Sequence, residues 1–310
     1  MDRPITGRFA PSPSGRMHLG NIYTALLSWL SVKSRGGRWI LRIEDLDPQR
    51  SRHEHAVMIE DDLRWLGLEP DEGGLEGKGE AGPYVQSLRG DIYEAMFGRL
   101  ADAGLVYPCR CRRADTLATQ APHQSDGRIV YRGTCRPGTP PFSCDTAVSG
   151  CAWRLYVPDC EIVFDDVIYG RNSANLARDC GDFVVRRADR AWAYQLAVVA
   201  DDALMGVTEV VRGCDLLLST AQQIYLYGLL GFEPPVFCHL PLLCNSAGQR
   251  LSKRDSSLSM ESLRRDYTPE KLIGHIAALA GISDSDRPVT ADELAATFDI
   301  NKVGRKDKTV

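Results

Sequence analysis

Ile5-Thr6-Gly7-Arg8-Phe9-Ala10-Pro11-Ser12-Pro13-Ser14-Gly15-Arg16-Met17-His18-Leu19-Gly20-Asn21 is the stretch on which the fold turns. Residues 5–10 read as a short strand. Pro11, Pro13 and Gly15 then break it, because proline lacks the ladder N–H and glycine frees the backbone. Beyond Asn21, apolar residues recur at Ile22, Ala25, Leu26, Trp29 and Leu30, the spacing of an amphipathic helix. Strand, glycine turn and helix form the front end of a nucleotide-binding βα unit. Its helix N-terminus offers N–H groups and the positive end of a dipole to a phosphate.

Working outward, Trp39 to Ile43 is a second strand candidate that ends in Glu44-Asp45-Leu46-Asp47. Ligands of open α/β sheets sit beyond the carboxyl ends of strands, so these acids fall where a site belongs. A helix is predicted from about Ser51 to Leu66. Residues 67–82 hold six glycines and read as a flexible surface loop. Tyr84 to Ala103 returns to helix. From Val106 to Arg187 cysteine, proline and arginine become dense, and short strands such as Ala152 to Val157 alternate with turns, the texture of an inserted β-rich unit. Ala193 to Ala200 and Glu209 to Arg212 resume the opening style, and the chain after Leu251 is mostly helical and charged.

Composition bounds the function. The 310 residues are 44% hydrophobic and 25% charged, which excludes global disorder. No run approaches the roughly 18 apolar residues of a membrane span, and Met1-Asp2-Arg3-Pro4 lacks the apolar core of a secretory signal, so a cytoplasmic protein is expected. In that reducing setting the ten cysteines are read as buried small hydrophobes, metal ligands or reactive thiols rather than disulfides. The net charge of −4 is unevenly spread: residues 44–102 carry −9, residues 106–140 carry +4 and residues 245–265 carry +3. Basic islands on an acidic body suit an anionic partner bound at defined places.

Gly7-Arg8-Phe9-Ala10-Pro11-Ser12-Pro13 with His18-Leu19-Gly20-Asn21, paired with Arg250-Leu251-Ser252-Lys253-Arg254 far along the chain, resembles the two signatures of class I aminoacyl-tRNA synthetases. Arg42-Ile43-Glu44-Asp45, Trp192-Ala193-Tyr194-Gln195-Leu196-Ala197 and Val211-Arg212-Gly213 narrow the resemblance to the glutamyl branch. It runs from Arg8 to about Asp255. It implies an α/β fold: a Rossmann-type class I catalytic domain with an inserted zinc-containing α/β subdomain and a short helical C-terminal region. The expected division is 1–105 for the first catalytic half, 106–187 for the insertion, 188–250 for the second half and 251–310 for the lysine loop and helical region. The 55 residues after Asp255 are too few for the helical half with which glutamyl-tRNA synthetases grip the anticodon. The shorter relatives without it are the glutamyl-Q tRNA(Asp) synthetases. Asp47-Pro48-Gln49-Arg50 is similar to their Asp-Pro-Pro-Arg, with Gln49 departing from it.

The resemblance implies an ATP-dependent ligase that activates L-glutamate as glutamyl-adenylate without tRNA, using Mg²⁺ with ATP. Glutamate then passes to queuosine in the anticodon of tRNA(Asp). No membrane is involved, and a monomer suffices. By the same resemblance Arg8, Phe9, Ala10, Pro11, Ser12, Glu44, Tyr194 and Arg212 bind glutamate. His18, Gly20, Asn21 and Lys253 bind ATP, and His18 and Lys253 are catalytic. The chemistry of glutamate agrees, since two carboxylates and one ammonium need cations, an anion and donors. Arg8 and Arg212 offer guanidinium forks, Glu44 can pair with the ammonium, and Tyr194 can donate its hydroxyl. Lys253 would neutralise charge that develops on the phosphates.

Cys109-x-Cys111, followed by Tyr131-x-x-x-Cys135, is similar to the zinc site of the same subfamily, in which a tyrosine oxygen joins three cysteines. A bound Zn²⁺ stabilises a deprotonated ligand, which makes a phenol usable. His123, Cys144 and Cys151 are close enough in sequence to stand in for a ligand. Four protein ligands leave no open position, so this zinc would be structural. The rival readings are a short glutamyl-tRNA synthetase charging the 3′ end of tRNA(Glu), a non-catalytic tRNA-binding relict, and a small-molecule adenylating enzyme. Intact His18, Lys253, Arg8 and Glu44 argue against the relict.

Overall fold

The computed structural model describes residues 4–111, 130, 131, 133–245, 248, 251 and 258–310. Strand β1 (Thr6–Phe9) lies parallel to β2 (Arg38–Leu41), with Gly7 opposite Trp39, and α1 (Leu19–Lys33) makes the crossover that parallel strands require. The helix packs so closely on β1 that a Cβ at Gly7 would strike Val32, which is why glycine stands there. Its burial exceeds the predicted stripe. Leu27 is buried as well, and so are Ser28 and Ser31. The two hydroxyls are matched: Trp39 Nε1 donates to Ser28 at 3.1 Å, and Ser31 donates to Glu209 at 2.7 Å.

Helix α2 (His53–Trp65) follows as predicted. The glycine-rich stretch is pinned, contrary to the expected flexible loop. Glu72–Gly73 forms β3 beside β2, Asp71 accepts from the Trp39 amide at 2.7 Å, and Tyr84 donates to Glu72 at 2.8 Å. Gly73, at φ +96°, sits so near the Leu41 carbonyl that no side chain fits. The next helix also begins later than predicted. Tyr84 to Gln86 runs beside Ile43 through backbone bonds of 2.9 and 3.0 Å, and α3 spans Gly90–Asp102.

Strands β4 (Val106–Cys109), β5 (Ala152–Leu155) and β8 (Phe183–Arg186) form an antiparallel sheet in the order β4-β5-β8. Between β5 and β8 lies the hairpin of β6 (Glu161–Asp166) and β7 (Gly170–Asn175). Helix α4 (Tyr194–Leu204), strand β9 (Glu209–Gly213), helix α5 (Leu217–Leu229) and strand β10 (Val236–Leu240) return to the parallel style. The hairpin joins them, because Asp166 of β6 pairs with Phe237 of β10. The Thr208 amide donates to the Thr6 carbonyl at 2.8 Å, and this sets β9 along the edge of β1 that β2 does not use.

Two cores result. The first gathers α1 with Leu263, Leu272 and Ile276 of the C-terminal helices. The second gathers Trp153, Leu155 and Phe183 of the antiparallel sheet with Phe97, Leu196 and Leu226. Truncating Trp153 would cost about 3–5 kcal/mol. Strand β11 (Leu243–Cys244) pairs with β12 (Lys308–Thr309) near the C-terminus. No described helix is long and apolar enough to cross a membrane.

Candidate active site

The polar groups cluster where the parallel strands end. Arg8 sits on β1, Arg42 just past β2, Arg212 on β9 and His239 on β10, while Tyr194 opens α4 and Asp201 and Asp202 close it. The Glu44 amide donates to the Pro11 carbonyl at 3.0 Å, tying together the two loops that follow β1 and β2.

Asp202 takes Arg42 Nη1 at 2.6 Å and Arg8 Nε at 3.2 Å, and Arg42 Nη2 reaches Glu44 at 3.0 Å. Behind them Asp201 accepts from Arg89 at 2.6 Å, Gln86 at 2.8 Å and Tyr93 at 2.9 Å. Arg42 and Asp201 are wholly buried, a state that charges tolerate only when paired and hydrogen-bonded. Burial would raise the Asp202 carboxyl, yet Arg42 and Arg8 hold it below the usual carboxylate range. Glu44 goes the other way, pushed up by burial against the pull of Arg42 and Arg8.

Arg212 is held differently. Its guanidinium donates to His239 Nε2 at 3.1 Å, Gln223 Oε1 at 2.8 Å and Thr220 Oγ1 at 2.7 Å, and it lies over the Phe237 ring at 5.2 Å. No carboxylate hydrogen-bonds to it among the described residues. Burial lowers its pKa, and Tyr194 and Asp202 oppose that shift. Tyr194 is itself raised by burial. A buried guanidinium ringed by neutral acceptors suits an incoming carboxylate. Glu44 nearby suits an ammonium, so the pocket can take an amino acid with an acidic side chain.

The other predicted residues divide. Strand alternation sends Phe9 to the opposite face, where it stacks on Trp39 with centroids 6.1 Å apart, leaving its backbone as what it can offer. Ala10 is half-buried, Pro11 buried and Ser12 exposed. His18 is the N-cap of α1. Its Nδ1 accepts from the Gly20 amide at 3.1 Å, while Asn21 accepts from the His18 amide at 3.1 Å. The ring proton therefore sits on Nε2. The Asn21 amide bonds the His18 carbonyl at 2.8 Å, so the helix end spends the N–H groups of His18, Gly20 and Asn21 internally. Lys253, Arg250, Ser252 and Arg254 lie outside the described residues, as does His123. Their flanks are fixed: the Leu251 amide donates to Leu243 at 2.9 Å, and Ser259 bridges His18.

Sequence reasoning missed Arg89, Asp201, Asp202, Asp166 and His239 as site residues. For Asp201 and Asp202 the signal was two adjacent acids directly after the apolar run Leu196-Ala197-Val198-Val199-Ala200.

On the insertion, Cys111 Sγ lies 3.5 Å from Cys135 Sγ, and the Tyr131 hydroxyl lies 3.5 Å from Cys109 and 3.7 Å from Cys111. With Zn–S at about 2.3 Å and Zn–O at about 2.0 Å, a tetrahedron has S–S edges of about 3.8 Å and S–O edges of about 3.5 Å. These three separations lie close to such edges, and the three sulfurs all lie within 4.8 Å of one another. Cys144 and Cys151 do not join the thiol group. Burial would push the Cys109 thiol up, but Tyr131, the Cys111 amide and Arg154 bring it down to about 7. Burial and the neighbouring thiols push Cys111 up to about 11.

The model of the catalytic domain of class I tRNA synthetases for E and Q matches residues 4–309. A crystal structure of a glutamate tRNA ligase from Elizabethkingia meningosepticum in complex with its amino acid superposes with a TM-score of 0.83 at 30% identity, over 99% of this chain and 67% of that one. A glutamyl-Q tRNA(Asp) synthetase from Symbiobacterium thermophilum is 48% identical over 97% of this chain and 94% of its own. One from Neisseria meningitidis is 46% identical over 96% and 97%. With this catalytic domain along nearly its whole length, the chain belongs to the glutamyl-Q tRNA(Asp) synthetase family of class I synthetases.

Proposed function

We propose that the protein is an ATP-dependent ligase that activates L-glutamate and transfers it to queuosine in the anticodon of tRNA(Asp). The carboxylate of glutamate attacks the α-phosphate of Mg·ATP and releases pyrophosphate. A queuosine hydroxyl then attacks the activated carbonyl, and AMP leaves. The observation that carries the reading is Arg212, a buried cation with neutral partners, set beside Arg8, Glu44 and Tyr194. Arg8 and Arg212 take the carboxylates, Glu44 the α-ammonium and Tyr194 donates a hydrogen bond. Backbone groups of residues 9–12 line the same pocket. Adenylation needs no protein nucleophile; positioning and charge stabilisation supply the acceleration.

In this reading His18 directs Nε2–H toward a phosphate oxygen, Gly20 and Asn21 shape the helix end beneath ATP, and Lys253 neutralises charge in the transition state. Cys109, Cys111, Tyr131 and Cys135 hold a structural Zn²⁺ that stiffens the insertion 106–187 between the catalytic halves 1–105 and 188–250, ahead of the helical region 251–310. The enzyme works in the cytoplasm as a monomer. The test is transfer of labelled glutamate to tRNA from cells that make queuosine and from matched cells that cannot. Label confined to tRNA(Asp) of the first pool is expected. Equal labelling of tRNA(Glu) in both pools would replace this reading with the short glutamyl-tRNA synthetase.

A further inference from the structure

Arg212 and His239 are register partners on adjacent parallel strands, so their side chains leave the sheet on one face. Asp166, at the end of β6, completes the row. Its Oδ1 accepts the amides of Ile168 at 3.0 Å and Tyr169 at 2.7 Å. Its Oδ2 accepts the His239 amide at 3.0 Å and meets His239 Nδ1 at 2.7 Å. An acceptor-only carboxylate fixes Nδ1 as the protonated nitrogen, which leaves a lone pair on Nε2. Arg212 Nε, a permanent donor, points at that lone pair. On the far side Gln223 accepts from Arg212 and is itself oriented by donating to Gln195 at 2.9 Å.

Three of the five guanidinium N–H groups are therefore engaged, all by uncharged acceptors. Among the described residues, each terminal nitrogen keeps one N–H, and a carboxylate accepts such a pair as a fork.

We infer that His239 is a positioning residue for substrate binding: its neutral ring holds the Arg212 guanidinium in plane, so that the whole charge of the fork meets a substrate carboxylate. A carboxylate in its place would steady the plane equally well but would cancel part of the attraction. Asp166 acts one step further out by setting the tautomer. The inference rests on the glutamate reading above.

The test is glutamate-dependent ATP–pyrophosphate exchange with His239→Gln, His239→Asn and His239→Phe, together with a urea midpoint for each. Glutamine sets its amide oxygen near the Nε2 position. Asparagine reproduces only the donor to Asp166, and phenylalanine neither. His239→Asn and His239→Phe should raise KM for glutamate roughly 10- to 100-fold, the loss of a hydrogen bond to a charged group. Their kcat and KM for ATP should stay within about threefold, and His239→Gln should recover most of the glutamate KM. The inference falls if all three variants keep the wild-type KM, if KM follows the urea midpoint rather than the acceptor, or if KM for ATP rises in parallel. A wild-type protein without glutamate-dependent exchange would sink the glutamate reading and this inference together. An active wild type with indifferent variants sinks the inference alone.

Discussion

The pocket gathers polar groups in a buried place and the thiol cluster in a half-buried one, and they balance charge in opposite ways. Around the pocket Asp201 and Asp202 answer Arg89, Arg42 and Arg8, and Arg42 answers Glu44, so this part of the site is complete once the chain folds. Among the described residues the thiol cluster shows no such closure: three sulfurs and a phenol converge beside the Arg154 guanidinium, whose Nε lies 3.2 Å from Cys109 and whose carbon lies 3.6 Å from the Tyr131 ring centroid. The thiols are drawn apart, Cys109 down to about 7 by Tyr131, the Cys111 amide and Arg154, and Cys111 up to about 11 by burial and its neighbouring thiols. Folding closes the charge balance of the first site; the second is a donor set compatible with zinc.

That contrast can be broken most directly at Asp202. Asp202→Ala strands Arg8 and Arg42 without their shared carboxylate, and such a loss costs about 3–5 kcal/mol. Urea unfolding should show it, and a midpoint within error of wild type would mean that the pocket does not rest on its own ion pairs.

A smaller effect follows from His239. Burial, joined by Arg212 and against the pull of Asp166, lowers its pKa to about 4, so the unfolded chain binds the proton between about pH 6.5 and 4 while the folded one refuses it. Stability should thus fall as pH drops through that window, by on the order of 3 kcal/mol, and be flat in this respect above it. Urea midpoints of wild type minus His239→Gln, taken at pH 7, 5.5 and 4.5, isolate that contribution; an unchanged difference refutes it.

The thiol cluster should respond to neither change. Chelation should remove one zinc per chain by metal analysis and speed amide exchange in residues 104–111 and 133–142 by about tenfold or more, roughly 1.4 kcal/mol of local opening. Exchange in α1 and β9 should hold. Faster exchange across the pocket as well would join the two regions that their charge balance sets apart.

What could be read beforehand follows the range of each signal. The opening βα unit and the helix 53–65 were legible because period, proline and glycine act within one turn. Cys109 with Cys111, and Tyr131 with Cys135, stood out as two closely spaced pairs, but a long stretch parts the pairs and only the family resemblance joined them. Asp201 and Asp202 entered only as breaks in an apolar run, for their partners Arg89 and Arg42 stand 112 and 160 residues away. His239 was invisible for the same reason, since only the pairing of β9 with β10 brings it to Arg212. The pinning of residues 67–82 was misread because six glycines describe the freedom of a chain and not the Trp39, Leu41 and Tyr84 contacts that remove it.

The second core also has a mechanical side. Trp153, Leu155 and Phe183 of the insertion press on Leu196 and Val199, one turn before the acids that brace Arg42 and Arg8. The antiparallel sheet therefore cannot swing as a free block without prising open the helix that bears those acids. A displacement of that sheet would be felt first at the helix that carries Asp201 and Asp202.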